Sequence, residues 1–304
     1  MYDILIIGGG PAGLSAAIYS GRGGMKTAVI ESSMTGGQAS RAPRIENYPG
    51  FPQGIGGVEL GMAMLEQAQK SGAEVIYEKA AGFEADGSVK KVQTNAGLRE
   101  AHALILCLGT KPRQLGLDDE IKLTGAGVSY CAMCDGAFFR GKDVAVVGGG
   151  DTALDDAAYL SKIASRVYLI HRRGELRGAK AAENAVRRLP NCELILGSVV
   201  EKLKGSEALE SIDVKNLKTG EIKNIPVSGL FIAVGQTPDT GWLRGKLGLT
   251  PEGFIIVDEN MKTSLEGVFA AGDVRIKPLR QISTAVSDGA VAAISAIKYI
   301  RERQ

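Results

Sequence analysis

The sequence predicts an α/β chain made of two similar three-layer units, the second inserted into the first, and three observations carry that expectation. One is an internal repeat: DILIIGGGPAGLSAAIY at 3–19 returns as DVAVVGGGDTALDDAAYL at 143–160, each a short β-branched run, a glycine turn and a helical pattern. A second is that ALILCLGT at 103–110 and LFIAVGQT at 230–237 each read as a buried strand ending in a glycine turn, so that each repeat closes as a nucleotide-binding unit. The third is a further strand-like segment, GVFAAGDV at 267–274, which arrives after the second unit has closed and so returns to the first. The first domain is then discontinuous, residues 1–113 plus 244–304, and the second spans 114–243; both are expected to be Rossmann-like, FAD/NAD(P)-binding units.

A chain of 304 residues exceeds the size at which one hydrophobic core stops growing, which agrees with two domains. Its 41 glycines are well above the usual roughly 7% and call for turns and close backbone approaches. The net charge of +2, with one local basic cluster at 172–188, points to neither nucleic acid nor a membrane surface as partner. The chain opens directly on a buried-strand pattern, MYDILIIGGG, and no apolar run reaches the roughly 18 to 20 residues of a membrane helix, so the expected location is the cytoplasm. In that reducing compartment four cysteines do not build a structural framework, and a pair among them reads as catalytic or metal-binding.

Gly8, Gly10 and Gly13 follow the first strand and open the first helix, with Pro11 and Ala12 between them. Such glycines permit the tight turn, the close approach of backbone to a pyrophosphate and close helix packing, while the helix N-terminus faces the phosphates. Glu31 closes the second strand, 18 residues past Gly13, where a carboxylate accepts hydrogen bonds from a ribose and repels a phosphate. The second fingerprint has Gly148, Gly150 and Ala153, with Asp151 and Thr152 inside it, and 18 residues past Ala153 stands His171, followed by Arg172, Arg173 and then Arg177. The acid is replaced by cations in the same register, which predicts a 2′-phosphate and hence NADP(H). Two sites of different preference imply FAD in one and NADPH in the other.

Cys131 and Cys134 lie just before the second fingerprint, at a spacing that allows the Cα separation of about 5.5 Å a disulfide needs. Were the pair to sit at a helix start, the helix N-terminus would stabilise a thiolate. Asp135 follows directly and fits two roles equally, proton exchange during thiol–disulfide chemistry or a simple helix N-cap. Zinc competes for a CxxC, but no second CxxC exists and both histidines lie elsewhere, so no metal is expected. Cys107 and Cys192 read as small core hydrophobes.

These residues resemble the low-molecular-weight, bacterial-type thioredoxin reductases over essentially the whole chain: GGGPAG at 8–13, GGQ at 36–38, IENYPGFP at 45–52, CAMCDG at 131–136, GGGDTA at 148–153, HRRGELR at 171–177, and AAGDV with Arg280 and Gln281 near the end. The resemblance implies that Gly36, Gly37, Gln38, Asn47, Gly272, Asp273, Arg280 and Gln281 surround FAD alongside the first fingerprint. It also implies that Cys134 is the flavin-facing sulfur, that Cys131 exchanges with the partner disulfide and that Asp135 is the acid. NADPH would then reduce FAD, FAD the Cys131–Cys134 disulfide, and the dithiol a thioredoxin or a thioredoxin- or glutaredoxin-like protein, in a homodimer. With the pair beside the NADPH fingerprint and the flavin on the other domain, the resemblance further implies domain rotation, with hinges expected near 113–117 and 242–246. Two other functions compete: an FAD-dependent dithiol oxidase, against which the arginine cluster argues, and a flavin-based redox sensor whose disulfide gates a partner.

Overall fold

The computed structural model describes residues 1–304 except Pro43, Asp86 and Gln304, the last being the expected end of the first domain. The chain divides into two compact units, Met1–Lys111 with Thr237–Gln304, and Pro112–Gln236.

In the first unit β1 (Tyr2–Ile7) leads into α1 (Pro11–Arg22), β2 (Thr27–Glu31), α2 (Gly57–Lys70), β3 (Glu74–Tyr77), β4 (Ala80–Glu84), β5 (Lys90–Thr94) and β6 (Gly97–Leu106). Ile4, Leu5 and Ile6 of β1 are all fully buried, as a parallel strand covered on both faces must be. Pro11 opens α1, where its missing N–H removes a donor that would have had no partner. The strands run β3-β2-β1-β6 in parallel, Ile6 opposite Val29 on one side and Ile105 on the other. The first half of β6 instead carries an antiparallel meander, β4-β5-β6, with Val92 opposite Arg99. The chain then leaves through β7 (Thr110–Pro112).

The second unit repeats the plan. It runs β8 (Val128–Ser129), α3 (Ala132–Asp135), β9 (Asp143–Val147), α4 (Asp151–Leu160), β10 (Arg166–His171), α5 (Lys180–Arg187), β11 (Cys192–Leu196), then β12 (Ser198–Lys204), β13 (Ser211–Asn216), β14 (Ile222–Pro226) and β15 (Gly229–Ile232). The order β11-β10-β9-β15-β8 is parallel throughout, and β12-β13-β14 form a separate antiparallel sheet.

Returning, β16 (Gln236–Pro238) pairs with β7, so the two connecting stretches form one short ribbon. β17 (Val268–Ala270) adds to the first sheet beside β6, Phe269 opposite Ile105, and α6 (Ile282–Arg301) covers that sheet together with α1. Because strand side chains alternate, Ile4, Ile6, Val29, Ile105 and Phe269 pack under α1 and α6. Leu5, Ile7, Ala28, Leu104 and Val268 form a second core on the opposite face with Leu243 and Trp242.

This second core explains where the chain crosses back. The sequence expectation puts the second boundary at 243/244, whereas the compact units meet at Gln236/Thr237. Leu243 is fully buried in the first unit's core and the Trp242 ring meets Phe83 edge to face at 6.0 Å, so residues 237–243 pack with the first unit. Among the described residues no helix is long and apolar enough to cross a membrane.

Candidate functional site

In the first unit the end of β1 is built around close approaches. Gly8 has φ 107° and a Cβ there would overlap the Cys107 carbonyl, and a Cβ on Gly13 would overlap the carbonyl oxygen of Gly8, so α1 starts hard against the turn. At Gly10 the space is open, the nearest atom to an added Cβ being the Gly37 Cα at 3.9 Å. Glu31, ending β2, accepts the Gly9 N–H at 2.7 Å on Oε2, which leaves that oxygen a lone pair, and on Oε1 the Ser33 N–H at 2.9 Å with the Ser33 and Ser32 hydroxyls at 3.4 and 3.5 Å.

Of the residues singled out by resemblance, Gly36, Gly37 and Gly272 lie against the same turn, and Gln38, Asn47, Arg280 and Gln281 have partners of their own. The Gly36 N–H donates to the Gly9 carbonyl at 2.8 Å, and Gly37 lies so close that its Cβ would sit 3.1 Å from the Gly10 Cα. The Gln38 amide donates to the Thr110 carbonyl. Asn47 and Gln281, 234 residues apart, are joined by a 3.1 Å hydrogen bond. Arg280 stacks over Phe254 at 4.4 Å with its Nε 3.4 Å from the Asp273 carbonyl. Gly272 packs on Ala12, where a Cβ would meet the alanine methyl at 2.8 Å. Asp273 Oδ1 is buried with no hydrogen-bond partner among the described residues, and burial pushes this carboxyl above its ordinary range against the pull of Lys277 and Arg280. An unpartnered buried acceptor calls for a ligand donor, and the hydroxyls of a flavin nucleotide are donors. The glycine turn, Glu31 and Asp273 therefore fit FAD.

The second unit presents the equivalent turn at the end of β9. A Cβ on Gly148 would lie 2.7 Å from the Ala153 methyl, and none fits on Gly149 because the His171 ring rests there. At Gly150 an added Cβ meets nothing within 4 Å. Asp151 accepts the Ala179 N–H at 2.6 Å, the Arg177 N–H donates to the Gly149 carbonyl at 2.6 Å, and Thr152 is exposed. His171 ends β10 as Glu31 ends β2, and it is 5% exposed with no partner for Nε2 among the described residues. Burial first, then Arg177, Arg173 and Arg172, holds its pKa below the ordinary value, so the ring is neutral at pH 7. The side chains of Arg172, Arg173 and Arg177 are exposed around it. An open glycine turn, an orphaned imidazole nitrogen and three guanidinium groups fit a nucleotide bearing a 2′-phosphate.

Also in the second unit, Cys131 and Cys134 form a disulfide with Cα atoms 5.3 Å apart. Cys131 is the N-cap of α3, and its Sγ accepts the Cys134 N–H at 3.2 Å. Asp135 ends that short helix and its side chain makes no capping bond. Instead Ser129 Oγ donates to Asp135 Oδ2 at 2.6 Å while accepting the Cys131 N–H at 3.0 Å, so one hydroxyl ties the carboxyl to the pair. Burial pushes the Asp135 carboxyl up and the Ser129 hydrogen bond works against it. Tyr130, next to Cys131, donates to Glu120 at 2.7 Å, and Glu120 also accepts the N–H groups of Leu115, Gly116 and Leu117. The sequence reading missed Ser129, Tyr130 and Glu120; the only signal for Ser129 was its place two residues before a redox motif. Burial pushes the Cys107 and Cys192 thiols up, the latter to about 11, so neither supplies a thiolate at neutral pH.

Residues 2–289 match the family described as pyridine nucleotide-disulphide oxidoreductase. The chain is 44% identical to a thioredoxin reductase of Peptoclostridium acidaminophilum, covering 99% of this chain and 97% of that one. It is similar to the solved thioredoxin reductase structure from Streptococcus pyogenes, with a TM-score of 0.94 and 43% identity over 99% of both chains. A second solved structure, thioredoxin reductase from Giardia duodenalis, is similar with a TM-score of 0.93 and 36% identity, again over 99% of both.

Proposed function

Since the chain belongs to the pyridine nucleotide-disulphide oxidoreductase family, we propose that it is an NADPH-dependent thioredoxin-disulfide reductase carrying FAD. Relatives and solved structures named thioredoxin reductase, similar over nearly the full chain, support this reading. The single observation that carries it is the Cys131–Cys134 disulfide with Asp135 held beside it by Ser129, in the unit that also holds the second fingerprint.

FAD would be held by Gly8, Gly10, Pro11, Ala12, Gly13, Glu31, Gly36, Gly37, Gln38, Asn47, Gly272, Asp273, Arg280 and Gln281. NADPH would be held by Gly148, Gly150, Asp151, Thr152, Ala153, His171, Arg172, Arg173 and Arg177. When bound, the two nucleotides supply a hydride donor and a two-electron carrier. The chain's own part is thiol exchange. Cys131, as thiolate, attacks one sulfur of the partner disulfide, and the departing sulfur takes a proton held at Asp135. Cys134 then attacks the Cys131 sulfur, re-forming the Cys131–Cys134 bond and releasing the partner's second sulfur as a thiol once protonated. Met133 and Phe138 are exposed beside the pair and offer apolar contact to a protein rather than a small disulfide. The reading includes rotation of the cysteine-bearing unit about its two connections, homodimerisation and a cytoplasmic setting.

The test is steady-state oxidation of NADPH by the yellow protein with oxidised thioredoxin, beside sedimentation for the dimer. One dithiol formed per NADPH consumed supports the reading. Oxygen consumption with dithiols and no use of NADPH would replace it with an oxidase, and no turnover at all with a sensor.

A further inference from the structure

Asp288 lies in the apolar stretch ISTAVSDGAVAA of α6, where a carboxylate has no packing role. It is 5% exposed, yet four donors converge on it. Its Oδ2 accepts the Gly272 N–H at 3.1 Å, Arg275 Nε at 2.8 Å and Lys277 Nζ at 2.6 Å, and its Oδ1 accepts Arg275 Nη2 at 2.7 Å. All the donors come from residues 272–277, the segment that begins with the 3-10 turn Gly272–Val274 and holds Asp273. Lys277 is itself buried, 8% exposed, and its ammonium is paired with Asp288. The turn cannot shift toward α1, because Gly272 is already against Ala12 and Gly289, next to Asp288, against the Ala12 carbonyl. What the clamp leaves over is Asp273 Oδ1, buried and without a partner among the described residues.

We infer that Asp288 is a positioning residue of the flavin site: a buried carboxylate on α6 that locks the Gly272–Val274 turn between α6 and the start of α1, so that Asp273 faces the nucleotide. The inference rests on the reading of Asp273 as a flavin contact. Asp288 acts by removing the freedom of the turn before FAD arrives, so its effect is on affinity through Asp273.

The experiment measures the FAD dissociation constant of the apoprotein by flavin fluorescence for the wild type, D288N, D273N and the double variant D273N/D288N. D288N is expected to weaken FAD binding by about tenfold or more, the scale of one misaligned charge-assisted hydrogen bond. In the D273N background the same change should add less than about twofold, because a residue that acts through Asp273 has nothing left to position. Full additivity, or wild-type affinity in D288N, overturns the inference while leaving the functional reading intact. A wild-type apoprotein that does not bind FAD removes both. Since D288N leaves Lys277 without its buried partner, K277M/D288N is the control for folding. That variant should regain the apoprotein melting temperature and not the FAD affinity; recovery of both together shows a purely structural role and overturns the inference.

Discussion

Asp135 is held by a single hydroxyl. Burial raises its carboxyl and the Ser129 hydrogen bond, which favours the charged form, partly offsets that. Removing the hydroxyl therefore moves the pKa further up, and the Asp135-dependent limb of the pH profile of thioredoxin reduction in S129A should shift to higher pH. An unmoved limb would show that Ser129 only packs. D135N should lower the partner-reduction rate by about a hundredfold or more while leaving NADPH oxidation with ferricyanide unchanged, a split that stopped-flow measurement reads directly. Arg172 and Arg173 belong to the same scale. Charge-assisted hydrogen bonds contribute about 1.5 to 3 kcal/mol each, so two directed at the 2′-phosphate give a preference for NADPH on the order of a hundredfold or more. R172A/R173A should lose most of it and keep NADH use, whereas equal kcat/KM for both nucleotides in the unmutated protein would show a merely solvated cluster. Cys131, Cys134 and the fingerprint glycines were legible because their chemistry is tied to spacing. Ser129 and Asp288 were not, because each works through contacts made only in the fold, although an acid inside ISTAVSDGAVAA is a signal that helical periodicity leaves unexplained.

Among the elements, the strand–turn–helix units at 3–19 and 143–160 became β1–α1 and β9–α4 with their glycine turns between. The antiparallel meanders β4-β5-β6 and β12-β13-β14 were not read from the sequence. β5 alternates buried and exposed residues over only five positions, Lys90 to Thr94, with lysine at two of them, so the apolar period is too short to stand out. The stretch 242–246, where the resemblance implies a hinge, holds Trp242 and Leu243, which bury apolar surface in the first unit's core. α4 carries a testable burden of its own. Its Asp156 is pushed up to about 7 by burial and by the neighbouring Asp155. A folded pKa above the unfolded value means the native state holds a proton that the unfolded chain has released, so stability falls as pH rises from about 4 toward 7 and the penalty is complete above it. D156N escapes this fall, and its melting temperature relative to wild type should rise between pH 5 and pH 8. A constant difference would show that Asp156 titrates normally.

At the scale of the molecule, one chain carries two copies of one nucleotide-binding plan and assigns them different work. The acid Glu31 ends the second strand of the first unit and His171, followed by arginines, ends that of the second. The cysteine pair sits in the second unit, which also holds the second fingerprint. The account stands on those cysteines being the obligatory route. The most direct measurement is the rate of NADPH-dependent thioredoxin reduction by wild type, Cys131→Ser and Cys134→Ser, with ferricyanide reduction by NADPH measured beside it. The account predicts a loss of roughly a thousandfold or more in thioredoxin reduction for each serine variant, with ferricyanide reduction preserved in both. Near-normal thioredoxin reduction by either variant would contradict it.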